Sequence, residues 1–397
     1  MAGGTTERGR LDAVDVLRGV VMILMALDHT RDYFGNAAAN PTDLATTTIP
    51  LFFTRWVTHF CAPVFFLLTG TGAYLSRRRR SPAELSRFLL TRGLWLIGLE
   101  LTVMRAFWQF NVDYQVTVLT VLWALGWSMV ALAALVRLPA WLVGAAGVAM
   151  VALHNLTDAV APAAFGPLAP LWTFLHQPGL VFATPRAVVL AAYPLVPWVG
   201  VVAAGYGLGP VFAWPTERRR TVLLRAGMGL VLAFVALRTL NGYGDPRPWA
   251  AQPRAAFTAL SFLDTTKYPP SLLFLLMTVG PALLFLRLVD GWVGGRVPRP
   301  LRPALVVGRV PLFYYLLHVL VLHALAVVVC YARYGAVHWM FESPGVDRFP
   351  VTQPPGWPAP LPGVYLAWAT AVVLLYPCCR WYGTRKARGT HAWMRYL

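Results

Sequence analysis

Apolar runs of about twenty residues recur along the chain, separated by short polar or basic stretches. At 1.5 Å rise per residue, such a run crosses a hydrocarbon core of ~30 Å. Backbone groups in lipid must find partners inside their own segment, so each run is expected to be a helix. Ten spans follow: 13–34, 51–75, 86–104, 115–137, 139–157, 187–209, 221–240, 269–289, 307–331 and 362–379. Segments of ~10 residues with strict alternation, the mark of a membrane barrel, are not seen in the sequence. The expected fold is all-α: one polytopic membrane domain, a bundle of about ten transmembrane helices.

Composition agrees with this. The chain is 57% hydrophobic and only 13% charged, about half the share of a soluble domain. Its formal charge of +18 raises the question of nucleic acid, but the cations gather in short loops between spans. Arg77 to Arg80, Arg218 to Arg220, and Arg296, Arg299 and Arg302 all fall on one side of the membrane. The two termini, with Arg385, Lys386 and Arg388, fall there too. The positive-inside rule makes that side cytoplasmic and removes the case for a nucleic-acid partner. The expected location is a plasma (inner) membrane with both termini in the cytoplasm. Three longer loops, 158–186, 241–268 and 332–361, lie on the opposite side and carry Trp172, Trp249, Trp339 and Trp357. Such loops are often functional, and these rings either stack on a sugar or anchor the membrane interface.

Span 1 is unusual. It reads LDAVDVLRGVVMILMALDHTRDYFG, and an ionisable group at the centre of a span costs at least ~2.5 kcal/mol. At 100° per residue, Asp15, Arg18, Met22, Met25 and His29 share one sector, with Asp32 on its edge. Residues 15 and 29 are ~21 Å apart along such a helix. One face therefore runs from an acid and a base at the cytoplasmic end to a histidine near the outer end, and it must line a cavity or another helix. Asp28, Arg31 and Asp32 surround His29. A histidine beside a carboxylate is the usual general base, because its pKa lies near neutrality.

In span 2, Arg55 and His59 share a helical face at a depth that matches His29. Pro63 removes a backbone donor below His59, and the Gly70–Thr71–Gly72 stretch permits close approach of another helix. Lys267 and Tyr268 precede two prolines at the outer end of span 8, where a cation would hold an acidic acceptor or orient a carbonyl. His318 sits in mid-span 9, where it needs a polar partner. Arg18, Arg92 and Arg309 lie at cytoplasmic span ends, placed to meet a phosphate. None of the four cysteines has metal or disulfide spacing. With no HExxH, CxxC, P-loop or dinucleotide fingerprint, no metal is expected.

Together these residues resemble a known family. The stretch RLDAVDVLRGVVMILMALDHTRDYF, followed by RWVTHFCAPVFFLLTGTGAYL, is similar to the start of the bacterial membrane proteins related to heparan-α-glucosaminide N-acetyltransferase. So are the blocks at 193–209, 266–285 and 308–326. The resemblance implies a fold of the transmembrane acyltransferase type. It also implies that acetyl-CoA enters from the cytoplasm and that its acetyl group passes to an amino sugar on the far side. The family's VD-x-x-RG block falls on Asp15, Arg18 and Gly19, and the polar position ending that helix falls on His29. The animal enzymes use a histidine between spans 1 and 2, whereas residues 30–58 contain none, so either His29 or His59 takes the role or the chemistry differs.

The expected function is thus acyl transfer from acetyl-CoA, the one co-substrate, to an extracytoplasmic amino sugar, glycan or lipid-linked sugar. His29 and Asp28, with His59, would be catalytic. Arg31, Asp32, Arg55, Lys267, Tyr268 and His318 would contact substrate, and Asp15, Arg18, Arg92 and Arg309 would hold the CoA. Membrane lipids and the acceptor are the expected partners, with a homodimer as the assembly to test. The competing reading is a proton-coupled transporter or exporter with the His/Asp cluster as its relay.

Overall fold

A computed structural model describes residues 3–36, 39–293, 297–389 and Met394. Arg296 lies outside the described residues. In chain order the α-helices are α1 (Gly3–Phe34), α2 (Ile49–Trp56), α3 (Cys61–Ser76), α4 (Pro82–Leu99), α5 (Arg105–Gln109), α6 (Val121–Leu135), α7 (Ala140–Leu153) and α8 (Ala169–Leu175). They continue with α9 (Leu195–Leu208), α10 (Thr216–Leu240), α11 (Ala255–Leu263), α12 (Leu272–Val293), α13 (Arg302–Gly308), α14 (Pro311–Tyr334) and α15 (Leu361–Ala387).

Seven helical stretches among the described residues are long and apolar enough to cross a membrane: Ile49–Arg79, Ala140–Thr157, Leu195–Ala213, Thr216–Leu240, Leu272–Asp290, Pro311–Tyr334 and Leu361–Ala387. The expected runs 13–34 and 86–104 are also largely helical, but their charges leave them outside this set. On α10, Leu224, Met228, Leu232 and Val235 form an exposed row at helical spacing, and Leu366, Val373 and Leu374 do the same on α15. Rows of bare apolar side chains on helices of spanning length are what a lipid-facing surface requires. This is an all-α polytopic membrane protein.

Two expected spans begin too early. Residues 116–119 form strand β1 (Val116–Leu119), and the 187–209 run opens with a strand, so the helices start only at Val121 and Leu195. Strand β2 (Gly179–Ala183) and strand β3 (Val188–Ala191) pair antiparallel, Gly179 opposite Ala191, in a sheet of order β1-β3-β2. The cause is local: Val-Thr-Val and Val-Val are β-branched, stiff at χ1, and favour a pleated partner over a helix. The three long loops, 158–186, 241–268 and 332–361, are likewise not structureless, since they hold α8, β2, α11 and short 3₁₀ turns.

The chain divides into two compact units. The first comprises Met1–Cys61, Leu101–Thr117 and Trp292–Leu397. Here α1 is the central element, packed by α13, α14 and α15. Val16, Leu17, Val21, Met22, Met25, Ala26 and Leu27 are all buried. The α1–α13 crossing is backbone on backbone. A Cβ on Gly19 would sit 1.7 Å from the Ala304 carbonyl oxygen, and one on Gly308 would sit 1.8 Å from that of Asp15. Neither carbonyl can swing away as a side chain would. Gly19→Ala is therefore expected to cost at least the ~1–3 kcal/mol typical of overpacking. The control is Gly72→Ala, because a Cβ on Gly72 meets nothing within 4 Å. A melting temperature for Gly19→Ala equal to that of Gly72→Ala would contradict this crossing. The 332–361 loop closes on the end of α1: Trp357 Nε1 donates to Tyr33 O at 2.7 Å, and Ala359 N to Phe34 O at 2.8 Å. Trp357 is buried, so it caps the helix and offers no face to a sugar.

The second unit comprises Ala62–Glu100 and Val118–Gly291. Its helices also meet through glycines. A Cβ on Gly70 of α3 would come within 1.9 Å of the Val202 carbonyl on α9, and Thr71 Oγ1 donates to Gly205 O at 3.0 Å. Gly70, and not Gly72, makes the close approach expected of that motif. Arg219 on α10 grips Asp290 on α12 with two hydrogen bonds of 2.9 and 3.0 Å, both side chains buried. Arg238, also buried, donates to the carbonyls of Phe262, Arg247, Ser261 and Asp264 and so folds the 241–264 segment onto the end of α10.

Candidate functional site

The first unit brings His29 and His318 together. His29 leaves α1 one residue beyond Asp28, and at 100° per residue the two side chains take different directions. His29 Nδ1 lies 2.8 Å from His318 Nε2, and the rings stack at 4.9 Å. His318 Nδ1 lies 3.2 Å from the Tyr314 carbonyl one turn earlier on α14. That carbonyl can only accept, which fixes a consistent proton assignment: His318 donates from Nδ1 and accepts at Nε2, His29 donates from Nδ1, and the His29 lone pair sits on Nε2. Trp108 of α5 packs on His29 at 4.8 Å and Tyr33 stacks on Trp108 at 5.8 Å. His318 is fully buried, whereas His29 is half-buried.

Asp28 is held by a separate set of groups. It accepts from Arg31 Nη2 at 2.5 Å, from Arg55 Nη1 at 2.5 and 2.6 Å, and from Thr58 Oγ1 at 2.9 Å. The residues expected around a histidine base thus form an ionic knot between α1 and α2. The partner that orients His29 through its ring nitrogen is His318. Arg31 also stands 3.9 Å from Asp32, which is partly exposed. His59 is buried in the 3₁₀ turn Val57–Phe60, next to Thr58. That turn sits where Pro63, lacking an N–H, cannot bond back to the His59 carbonyl.

At the other end of α1, three of the four residues expected at CoA phosphates meet. Arg18 Nη1 donates to Asp15 at 2.8 Å and to the Gly308 carbonyl at 3.2 Å, which caps the last turn of α13. Arg309 reaches Asp12 at 2.6 Å and is exposed. Arg92 belongs to α4 in the second unit and is half-buried. Lys267 and Tyr268 are also in the second unit. Lys267 is buried with its Nζ 5.1 Å from the Tyr268 ring, and Tyr268 packs edge-on against Tyr193. Asp245 accepts from Thr266 N, Thr266 Oγ1 and Ser271 Oγ and so fixes this turn from both sides.

Periodicity did not single out Trp108, Thr58 or His323. His323 lies one turn and a half beyond His318 on α14, between the carbonyls of Phe107 (2.9 Å) and Met340 (2.7 Å), with Phe110 stacked on it at 3.6 Å. Donating to one of these carbonyls and packed against Phe110, the ring joins α14 to the end of α5 and the 338–341 turn.

Among family models, the one described as heparan-alpha-glucosaminide N-acetyltransferase, catalytic, matches residues 10–243. The match is more than half of the 397-residue chain. It includes most of α1 and all of α2 and α5, and ends before Lys267 and His318. No curated protein matches the chain.

Proposed function

The chain belongs to the heparan-α-glucosaminide N-acetyltransferase catalytic family, and on that premise we propose that it carries acetyl groups from cytoplasmic acetyl-CoA to an amino sugar, glycan or lipid-linked sugar on the far side of a plasma membrane. The observation that carries the residue assignment is the His29–His318 pair. A base is useful when a neighbour fixes its tautomer and direction, and the Tyr314 carbonyl and His318 do both for His29. His29 Nε2 takes the proton from the attacking amine or hydroxyl as the thioester C–S bond breaks. In a two-step route Nε2 attacks the thioester itself, CoA leaves as the thiolate, and the acetyl-imidazole is then taken by the acceptor. Either route starts from the same lone pair. His318 positions and polarises the ring. The Asp28–Arg31–Arg55 knot anchors α1 to α2 and keeps positive charge near the reacting carbonyl, where an oxyanion develops. The Asp15, Arg18 and Arg309 cluster lies at the charge-rich cytoplasmic end of α1, the end that a CoA phosphate would approach.

Acetyl-CoA should stabilise the purified protein in detergent. At a hundredfold excess over its dissociation constant, a ligand selective for the folded state adds about 2.7 kcal/mol of apparent stability. A clear upward shift in melting temperature with acetyl-CoA, and none with adenosine alone, is the expected result. No shift with any acyl-CoA would remove the donor from this account.

A further inference from the structure

The second unit holds a group of metal-ligating side chains outside the residues considered so far. His154 ends α7, Asp158 follows four residues later, and His176 closes α8. One ligand atom from each lies within 4.8 Å of the other two. His176 Nε2 and Asp158 Oδ1 are 3.5 Å apart. Zinc bonds of about 2.0–2.2 Å set tetrahedral donor atoms about 3.3–3.5 Å apart, so this pair already has the required spacing, and only the His154 ring must close in.

His154 is the second observation. It is more than nine-tenths buried, yet neither ring nitrogen has a hydrogen-bond partner. The Pro270 carbonyl faces it without reaching hydrogen-bond geometry. Leaving a buried polar group unpaired is costly, and a cation at the centre of the three donors would engage one of the two ring nitrogens. The surroundings are arranged as a metal's outer shell should be. Asn155 Nδ2 donates to Asp158 Oδ2 at 2.7 Å, and its own carbonyl oxygen accepts from Leu272 N at 2.9 Å, which fixes the carboxylate. Trp172 packs on the His176 ring at 4.9 Å. Thr157 Oγ1 donates to the His154 carbonyl at 2.7 Å and stands 3.0 Å from His176 Nε2. On metal binding the His176 ring proton moves to Nδ1 and Nε2 becomes the ligand.

We propose that His154, Asp158 and His176 form a binding site for a divalent transition metal of the zinc class. Two imidazoles and one carboxylate are a borderline donor set that favours zinc or cobalt over magnesium or calcium. Three protein ligands leave at least one coordination position for water or an oxygen donor. The ion ties the end of α7 to the end of α8 and orders the 158–176 loop. The proposal does not rest on the acetyltransferase reading. It also departs from the sequence-based expectation of no metal, since the ligand set has neither HExxH nor CxxC spacing.

The test uses the full-length protein, purified in detergent through a tag without histidine, stripped with chelator and titrated with Co²⁺. One Co²⁺ per chain is expected, with the intense visible d–d bands of a four- or five-coordinate ion that added Zn²⁺ abolishes. Second-shell changes alone weaken metal sites about 10–100-fold, so His154→Gln, Asp158→Asn and His176→Gln should each weaken binding by roughly a hundredfold or more. His338→Gln, in the first unit, should bind as the parent does. Substoichiometric Co²⁺ with only the weak bands of the aquo ion would overturn the proposal. So would parent-like binding by folded His154→Gln and His176→Gln, and the group would then be a hydrogen-bonded cluster only. If those variants do not fold, the stoichiometry and spectrum of the parent decide alone.

Discussion

Replacing His29 by alanine should lower acetyl transfer by about 10²–10⁴-fold, the usual contribution of a positioned general base. The protein should remain folded, because the ring is half-buried and its loss leaves a small gap beside Trp108 and His318. Acetyl-CoA stabilisation should be unchanged, since the ring acts on the acceptor's proton or the acetyl carbon and not on the nucleotide. His318→Gln should be milder and different in kind. Glutamine can still accept from His29 but carries no ionisable ring, so the pH profile should shift as well as the rate. Parent-rate transfer by a folded His29→Ala protein would show that the base is elsewhere, with His59 the next residue to replace.

The second large effect is on stability. Asp28→Ala should cost up to about 3–5 kcal/mol, because removing one partner of a buried ionic group takes away the carboxylate that both arginines share. Here a single carboxylate faces two guanidiniums and a hydroxyl, and the side chains of Arg31 and Arg55 are 9% and 18% exposed. Two like charges would lose the carboxylate that joins them, and the contact of Arg31 with Asp32, at 3.9 Å, is looser. Asp28→Asn should fall between, since an amide keeps the acceptor from Thr58 and loses the charge. Thermal unfolding in detergent measures both. If Asp28 were instead the proton-handling partner of His29, Asp28→Asn would keep its melting temperature and lose its rate. A parent-like melting temperature with a large loss of activity would therefore contradict the knot.

The charged face of α1 was legible in the sequence because burying ions in a span is costly enough to stand out, and Asp28, His29, Arg31 and Arg55 all prove to be within or beside one unit's interior. That His318 needed a polar partner was legible for the same reason. Which partner it takes was not: residues 29 and 318 are paired by the way α1 and α14 cross, and helical periodicity encodes a face without naming the helix that meets it. Asp28 was read as the partner of His29 because the two adjoin in sequence. Adjacent helical positions point about 100° apart, and the arginine three residues on, together with Arg55, engages the carboxylate instead. The strands at 116–119 and 188–191 were merged into spans because a short buried strand and a buried helix turn are equally apolar. His154 and Asp158 stand four residues apart in the chain, but the third donor comes from α8 and only folding brings it in.

The most direct test of the central claim is transfer of labelled acetyl from acetyl-CoA to glucosamine, and to a glucosamine-terminated oligosaccharide, by the purified protein in liposomes, with the His29→Ala protein alongside. The account predicts an N-acetylated product that needs both protein and acetyl-CoA and falls at least a hundredfold with the variant. No acetylated product from either acceptor, no exchange of label between acetyl-CoA and CoA, and proton-coupled counterflow in the same liposomes would contradict it.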